Sequence, residues 1–104
     1  MNTIFDLSGK VAVVAGASSG LGADAARAYA EHGADVALLA RRLERLEALR
    51  DEIQATGRRA LAVRCDVTDE ESCRDAVEKV MEAYGRIDIL LNNAGVAVRG
   101  GVDT

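Results

Sequence analysis

Four short apolar runs alternate along the chain with longer amphipathic segments. The runs cover residues 11–15, 36–40, 61–65 and 89–91, and their starts are 25, 25 and 28 residues apart. The first two runs are apolar at every position, which is typical of strands with both faces buried in a parallel sheet. The spacing leaves room for one helix between consecutive strands, so the pattern predicts the order βαβαβαβ.

The segments between the runs have the periodicity of helices. The first predicted helix extends from Leu21 to His32 and is rich in alanine, and Gly33 follows as a left-handed terminator. The other two have a single apolar stripe each. The stripes consist of Leu43, Leu46, Leu49 and Ile53 in the second helix, and of Cys73, Ala76, Val77, Val80, Met81 and Tyr84 in the third.

The third predicted helix has signals at both ends. Thr68 precedes the acidic run 69–71, a capping-box pattern that places acids in the first turn. Gly85 follows the last apolar position of the stripe and is the predicted terminator. The sequence therefore predicts a helix between Thr68 and Gly85.

The predicted order of elements fixes the topology. Connections between parallel strands are right-handed in nearly all proteins. We therefore expect one α/β domain over residues 1–104, a doubly wound parallel sheet with strand order 3-2-1-4. The first two helices are expected on one face of this sheet and the third helix on the other.

Composition and charge exclude several classes of protein. A net charge of −4 without a basic stripe does not fit a nucleic-acid partner. No apolar run approaches the 18 residues of a membrane span, and residues 1–10 lack the features of a secretory signal. Cys65 and Cys73 are too few for a zinc site and are interpreted as buried free thiols. We expect a cytoplasmic protein.

The first strand is followed directly by a glycine-rich loop. Gly16 permits a tight turn, Gly20 allows the backbone to approach a pyrophosphate, and Gly22 allows the helix to pack closely on the strand. The N-terminus of the helix then offers free N–H groups to an anion. The alternative is a glycine-rich turn without a ligand. The predicted phosphate-binding residues are Gly16, Ser18, Ser19, Gly20, Leu21 and Gly22.

The end of the second strand indicates which dinucleotide is bound. A site for NAD usually has Asp or Glu there to hold the ribose 2′-hydroxyl, but here Arg41 and Arg42 follow the strand and no acid comes before Glu44. Two guanidinium groups oppose the dipole at the start of a helix unless an anion such as a 2′-phosphate lies between them. We predict a preference for NADP(H) over NAD(H), with Arg41 as the main determinant. The alternative is that both are solvated loop residues.

Three motifs together resemble the classical short-chain dehydrogenase/reductase family, from about residue 7 onward. They are the glycine spacing of residues 16–22, Cys65-Asp66-Val67 after the third strand, and Asn92-Asn93-Ala94-Gly95 after the fourth. The resemblance implies a Rossmann-like cofactor domain. It implies that Asp66 contacts the adenine amino group, that Val67 lines the ring, and that Asn92, Ala94 and Gly95 border the adenosine ribose. The alternatives are a turn acceptor for Asp66, in which Thr68 takes part, and a structural hydrogen-bonding role for Asn92.

The resemblance also implies chemistry that this chain lacks. The family uses a serine, a helix asparagine and a Tyr-x-x-x-Lys pair, whereas Tyr29 is followed four residues later by Gly33 and Tyr84 by Asp88. No catalytic residue is therefore assigned. We expect the chain to be the N-terminal part of a longer, homo-oligomeric oxidoreductase. The complete protein would transfer hydride between a nicotinamide and a carbonyl or secondary alcohol, and the sequence does not identify this substrate.

Two other interpretations follow from the missing pair. The 104 residues alone are expected to be inactive, so the chain is alternatively a non-catalytic nucleotide-binding module or a truncated product. A third, weaker alternative is a scaffold that associates through the apolar edge strand 89–91.

Overall fold

Strands and helices alternate regularly in the computed structural model, which describes residues 6–18 and 20–93. The predicted order βαβαβαβ is confirmed over these residues. The strands are β1 (Val11–Ala15), β2 (Asp35–Ala40), β3 (Ala60–Arg64) and β4 (Ile89–Asn92). The helices are α1 (Gly20–Glu31), α2 (Leu43–Gln54) and α3 (Glu70–Tyr84).

The four strands form one parallel sheet in the order β3-β2-β1-β4, as the sequence predicts. β1 lies in the centre, where Val13 pairs with Ala37 of β2 and with Leu90 of β4. All five residues of β1 are buried, which explains why this strand is apolar at every position. β3 lies one residue earlier than predicted, because Ala60 pairs with Val36 at the start of β2.

The two faces of the sheet are covered as expected. α1 and α2 pack on one face, where their small and branched side chains contact alternate residues of β1 and β2. α3 packs on the other face through Ala76 and Val80. The helix residues buried in the first core are Ala26, Ala30, Leu46, Leu49 and Ile53.

The predicted N-terminal cap of α3 is wrong by one residue. The helix begins after Asp69, whose carboxylate accepts a hydrogen bond from the backbone N–H of Glu71 at 3.1 Å. Thr68 does not cap the helix, because its hydroxyl donates instead to Oδ1 of Asp66 at 2.6 Å. The C-terminal prediction is confirmed, since Gly85 has φ of +80° and its N–H donates to the carbonyl of Met81.

β4 forms one edge of the sheet over the residues that the structure describes. It pairs with β1, and its Leu90 is 48% exposed. Val77 and Met81 on α3 are also exposed apolar residues. A small apolar cavity of about 110 Å³ lies between α3 and this side of the sheet. The prediction of an apolar edge at the fourth strand is therefore confirmed.

Polar contacts hold together the end of the sheet at which the strands begin, its amino end. The carboxylate of Asp88 accepts a hydrogen bond from the N–H of Val11 at 2.8 Å and forms a two-point ion pair with Arg86. The hydroxyl of Tyr84 donates to the carbonyl of Val36 at 2.9 Å. These contacts tie the end of α3 and the residues before β4 to the two central strands.

No helix in the described part of the chain is long and apolar enough to cross a membrane.

Candidate functional site

A cleft of about 510 Å³ opens at the carboxyl ends of β1, β2 and β3. In doubly wound sheets this end carries the ligand site, because the loops after neighbouring strands diverge there. The residues that line the cleft are Gly16, Ser18, Ala40, Arg41, Arg42, Arg45, Cys65, Val67, Thr68 and Asn93.

The glycine-rich loop turns sharply after β1 and is anchored to β2. Gly16 has φ of +80°, and its N–H donates to the carbonyl of Leu39 at 2.7 Å. Gly22 lies in the first turn of α1, where a Cβ atom would overlap the carbonyl oxygen of Gly16 and lie 3.0 Å from Nδ2 of Asn93. A side chain at Gly22 would therefore push the start of α1 away from the loop, which is the close packing that the sequence predicts.

The structure places the predicted phosphate-binding residues as follows. Gly16 and Ser18 line the cleft, whereas Gly20 and Gly22 lie in the first turn of α1. Leu21, also in that turn, is 75% exposed. Three predicted site residues lie outside the described residues, namely Ser19, Ala94 and Gly95.

Arginine side chains dominate one wall of the cleft. Arg41 follows β2 directly, and Arg42 is the residue before α2, with extended backbone and no capping hydrogen bond from its side chain. Arg45 lines the same cleft and was not predicted from the sequence. Its spacing of three residues from Arg42 is the available signal, since such residues are neighbours on a helix. No carboxylate is among the described residues that line the cleft.

The Asp66 carboxylate is a turn acceptor. Its Oδ1 accepts hydrogen bonds from the hydroxyl of Thr68 and from the N–H of Thr68 at 3.0 Å. These bonds lower the pKa of Asp66, and the charges of Arg41 and Arg64 lower it further. Oδ2 accepts no hydrogen bond from the described residues. Val67 lines the cleft beside this turn.

Asn92, the last residue of β4, and Asn93, the residue after it, line different cavities. Asn92, which the sequence predicts as a site residue, pairs with Ala15 and lines the apolar cavity under α3. Asn93 lines the cleft instead, and its N–H donates to the carbonyl of Ala15 at 2.8 Å. The alternation of side chains along a strand was the signal that separates the two.

Both cysteines are free thiols, as predicted, and their Sγ atoms lie 4.0 Å apart. Cys65 is buried at the floor of the cleft, whereas Cys73 is only half-buried. Burial raises the pKa of the Cys65 thiol to about 11, and the neighbouring Cys73 contributes to the shift. Cys65 therefore presents a neutral, apolar surface to the cleft at pH 7.

The cleft combines a glycine-rich turn, hydroxyl donors, guanidinium groups and an apolar wall at Val67. This set of donors fits an anionic ligand that also has an apolar ring, which is the chemistry of a phosphorylated dinucleotide. Residues 10–103 match the family model described as short chain dehydrogenase. The chain belongs to the short chain dehydrogenase family.

Relatives in this family are similar over nearly the whole chain. Oxidoreductase UcpA of Salmonella typhimurium is 48% identical over 90% of this chain. A metagenomic short-chain oxidoreductase, solved in complex with NADP, is 46% identical over 88% of the chain with a TM-score of 0.82. L-sorbose reductase of Gluconobacter frateurii, solved with NADPH and L-sorbose, is 38% identical over 95% of it with a TM-score of 0.84.

This chain covers a minor part of each relative's length. It spans 35% of UcpA, 41% of the metagenomic oxidoreductase and 38% of the sorbose reductase. The shared part carries the sheet β3-β2-β1-β4 and the cleft at its carboxyl ends.

Proposed function

We propose that this chain binds NADP(H) in the cleft and serves as the cofactor-binding part of a short-chain oxidoreductase. The complete protein would transfer hydride between the nicotinamide and a carbonyl or secondary alcohol. The observation that carries the cofactor proposal is the wall of arginines after β2. Arg41 and Arg42 stand where an NAD site usually has a carboxylate, and no carboxylate lines the described cleft.

Each wall of the cleft has a role in this proposal. The loop at Gly16 and the N-terminus of α1 hold the pyrophosphate, with Ser18 as a hydroxyl donor. Arg41 binds the 2′-phosphate, since a guanidinium donates two parallel hydrogen bonds to phosphate oxygens. Val67, which lines the cleft, packs against the adenine ring. Asp66, the residue before it, accepts a hydrogen bond from the amino group of the ring. The remaining proposed contacts, to the adenosine ribose, come from Asn92, Ala94 and Gly95.

Two similar proteins support the choice of cofactor. The metagenomic oxidoreductase was solved with NADP and the sorbose reductase with NADPH. When bound, the nicotinamide supplies the hydride or accepts it. The residues of this chain contribute binding and orientation of the dinucleotide.

The 104 residues by themselves are proposed to bind the dinucleotide without turnover. They contain no Tyr-x-x-x-Lys pair, the arrangement that supplies the proton in the family that the sequence resembles. A non-catalytic nucleotide-binding module remains the second candidate function, and this same observation favours it. We further propose a cytoplasmic, homo-oligomeric complete protein; the free thiols Cys65 and Cys73 fit a reducing compartment.

The cofactor proposal is tested by titrating the complete protein with NADPH and with NADH before and after Arg41→Asp. We expect NADPH affinity to fall by about 10- to 100-fold, the equivalent of one charge-assisted hydrogen-bonded contact, while NADH affinity holds or rises. Arg58→Asp is the matched control, because it makes the same charge change at the amino end of β3, away from the cleft. An unchanged preference in Arg41→Asp would exclude Arg41 as the determinant.

The oxidoreductase proposal is tested by activity. The complete protein should oxidise NADPH in the presence of at least one member of a panel of small carbonyl compounds. Binding of NADPH without oxidation by any member would favour the non-catalytic module.

A further inference from the structure

We propose that Arg45 is a third guanidinium that recognises the 2′-phosphate and sets the preference for NADP(H). This inference rests on the proposed function, because it assigns a further residue to the same cleft. Arg45 lies in the first turn of α2 and lines the cleft together with Arg41 and Arg42. Arg41 and Arg42 precede the helix, and Arg45 belongs to it.

Four of the ten arginines in the described residues are paired with carboxylates, and Arg45 is among the six that are not. Arg27 pairs with Asp24 and Glu52, and several other arginines of the described residues also have a carboxylate partner. Arg45 forms no hydrogen bond or ion pair with the described residues. Yet α2 carries four acidic residues, at positions 44, 47, 51 and 52, that are within the same helix. The other paired arginines are Arg50, Arg59 and Arg86.

The position of Arg45 is unfavourable in the absence of an anion. It follows Arg42 by three residues, so two like charges are neighbours at the start of α2. The N-terminus of a helix carries partial positive charge, which adds to the repulsion. A bound phosphate dianion would reverse the sign of both interactions, because it attracts the guanidinium groups and the helix terminus alike.

A 2′-phosphate has room for more than one guanidinium. A phosphate monoester has three terminal oxygens, and one guanidinium fork engages two of them. A second guanidinium at the same site engages the third oxygen and neutralises the remaining charge. The 2′-hydroxyl of NAD(H) has no such charge, so the contribution of Arg45 would appear in the affinity for 2′-phosphorylated ligands alone.

The test measures binding of 2′,5′-ADP and of 5′-ADP to the complete protein by calorimetry. Arg45→Gln should weaken 2′,5′-ADP about tenfold and change 5′-ADP by less than about twofold. Arg45→Lys should recover part of the loss, since it restores the charge without the fork. Arg50→Gln is the matched control on the same helix, because Arg50 is paired with Asp51 and does not line the cleft.

Thermal stability separates a ligand-binding role from a structural one. Relief of the like-charge contact should leave the melting temperature of ligand-free Arg45→Gln unchanged or slightly raised. A lowered melting temperature together with equal weakening of both ligands would overturn the proposal, as would unchanged binding of 2′,5′-ADP. Equal loss in Arg50→Gln would overturn it too, because the effect would then belong to the overall charge of α2.

The outcome for Arg41 keeps the two proposals distinct. If Arg41→Asp abolishes the preference for NADPH and Arg45→Gln does not alter it, the inference on Arg45 fails and the proposed cofactor stands. If neither variant alters the preference, the proposed NADP(H) specificity fails as well.

Discussion

The carbonyl oxygen of Gly16 occupies the space that a side chain on Gly22 would need. The two glycines lie at the end of β1 and in the first turn of α1, so the contact fixes how closely the helix approaches the strand. Nδ2 of Asn93, the residue after β4, would lie 3.0 Å from the same added Cβ atom. The start of α1 is therefore held against the carboxyl ends of β1 and β4, beside the cleft.

Gly22→Ala should destabilise the protein by about 1–3 kcal/mol, the usual cost of inserting atoms into a packed region. In an unobstructed helix the same replacement is stabilising by about 1 kcal/mol, so the sign of the change is informative. Urea denaturation measures the free energy of unfolding. Glu78→Ala, at an exposed position in the middle of α3, is the control for a substitution to alanine in a helix away from the cleft. A stabilised Gly22→Ala variant would contradict the contact described here.

Asp69→Ala should lower the stability of the protein by about 1 kcal/mol, because it removes the N-terminal cap of α3. Thr68→Ala should leave the N–H of Glu71 capped and should change instead the turn at Asp66. Amide hydrogen exchange of Glu71 distinguishes the two. We expect faster exchange in Asp69→Ala than in Thr68→Ala, and the reverse order would restore Thr68 as the cap.

Tyr84→Phe should reduce stability at neutral pH by about 1 kcal/mol, since it removes the hydrogen bond to the Val36 carbonyl. Burial, aided by the charge of Asp35, raises the pKa of Tyr84 from 10.0 to about 12. The stability linked to this raised pKa is fully present below pH 10 and is lost as the pH rises through 12.

The difference between wild type and Tyr84→Phe should therefore shrink between pH 10 and 12, which chemical denaturation at fixed pH values measures. The thiol of Cys65 titrates in the same region in both proteins, so the comparison isolates the phenol. A difference that stays constant across this range would contradict the role of the Tyr84 proton.

Asp88→Asn should weaken the acid-sensitive contact at the amino end of the sheet. Arg86, and then the N–H of Val11, hold the pKa of Asp88 below its usual value of 3.8. A lowered pKa contributes stability above pH 3.8 that is lost as the pH falls through the folded-state pKa. The variant should unfold at lower urea concentration than wild type at pH 6, and this difference should shrink as the pH falls below 3.8. Asp75→Asn, an exposed position on α3, should not show this convergence.

The fold was predictable because buried strands and helix faces appear in the sequence as apolar runs and stripes. All of β1 and residues 36–40 of β2 are buried on both faces, and this excludes polar residues from these positions. The ends of β3 were predicted one residue too late. The pairing of Ala60 with Val36 sets where β3 begins, and this pairing leaves no pattern in the local sequence. The cap of α3 was misplaced because the side chains of Thr68 and Asp69 can both accept a hydrogen bond from the first turn of a helix. Asp69 is the cap because the hydroxyl of Thr68 is bonded to Asp66 instead.

The candidate site was predictable where a residue's backbone geometry matters. A glycine with positive φ at position 16 is required by the turn, whatever the rest of the chain does. Arg45 was missed because an arginine on an exposed helix face is normally a solvated charge. Its spacing from Arg42 is a weak signal in the sequence, and its position in the cleft with Arg41 is what distinguishes it. Asn93 was passed over in favour of Asn92, although the alternation of side chains along β4 separates the two.

The strand order has a consequence for synthesis on the ribosome. β1 leaves the exit tunnel before the other strands, yet it lies inside the sheet, and its partner β4 begins 74 residues after β1 ends. At translation rates of about 5–20 residues per second, one side of β1 waits roughly 4–15 seconds for its neighbour. During this interval a nascent chain already has β2 to pair with, but it exposes an apolar strand edge to chaperones and to other chains.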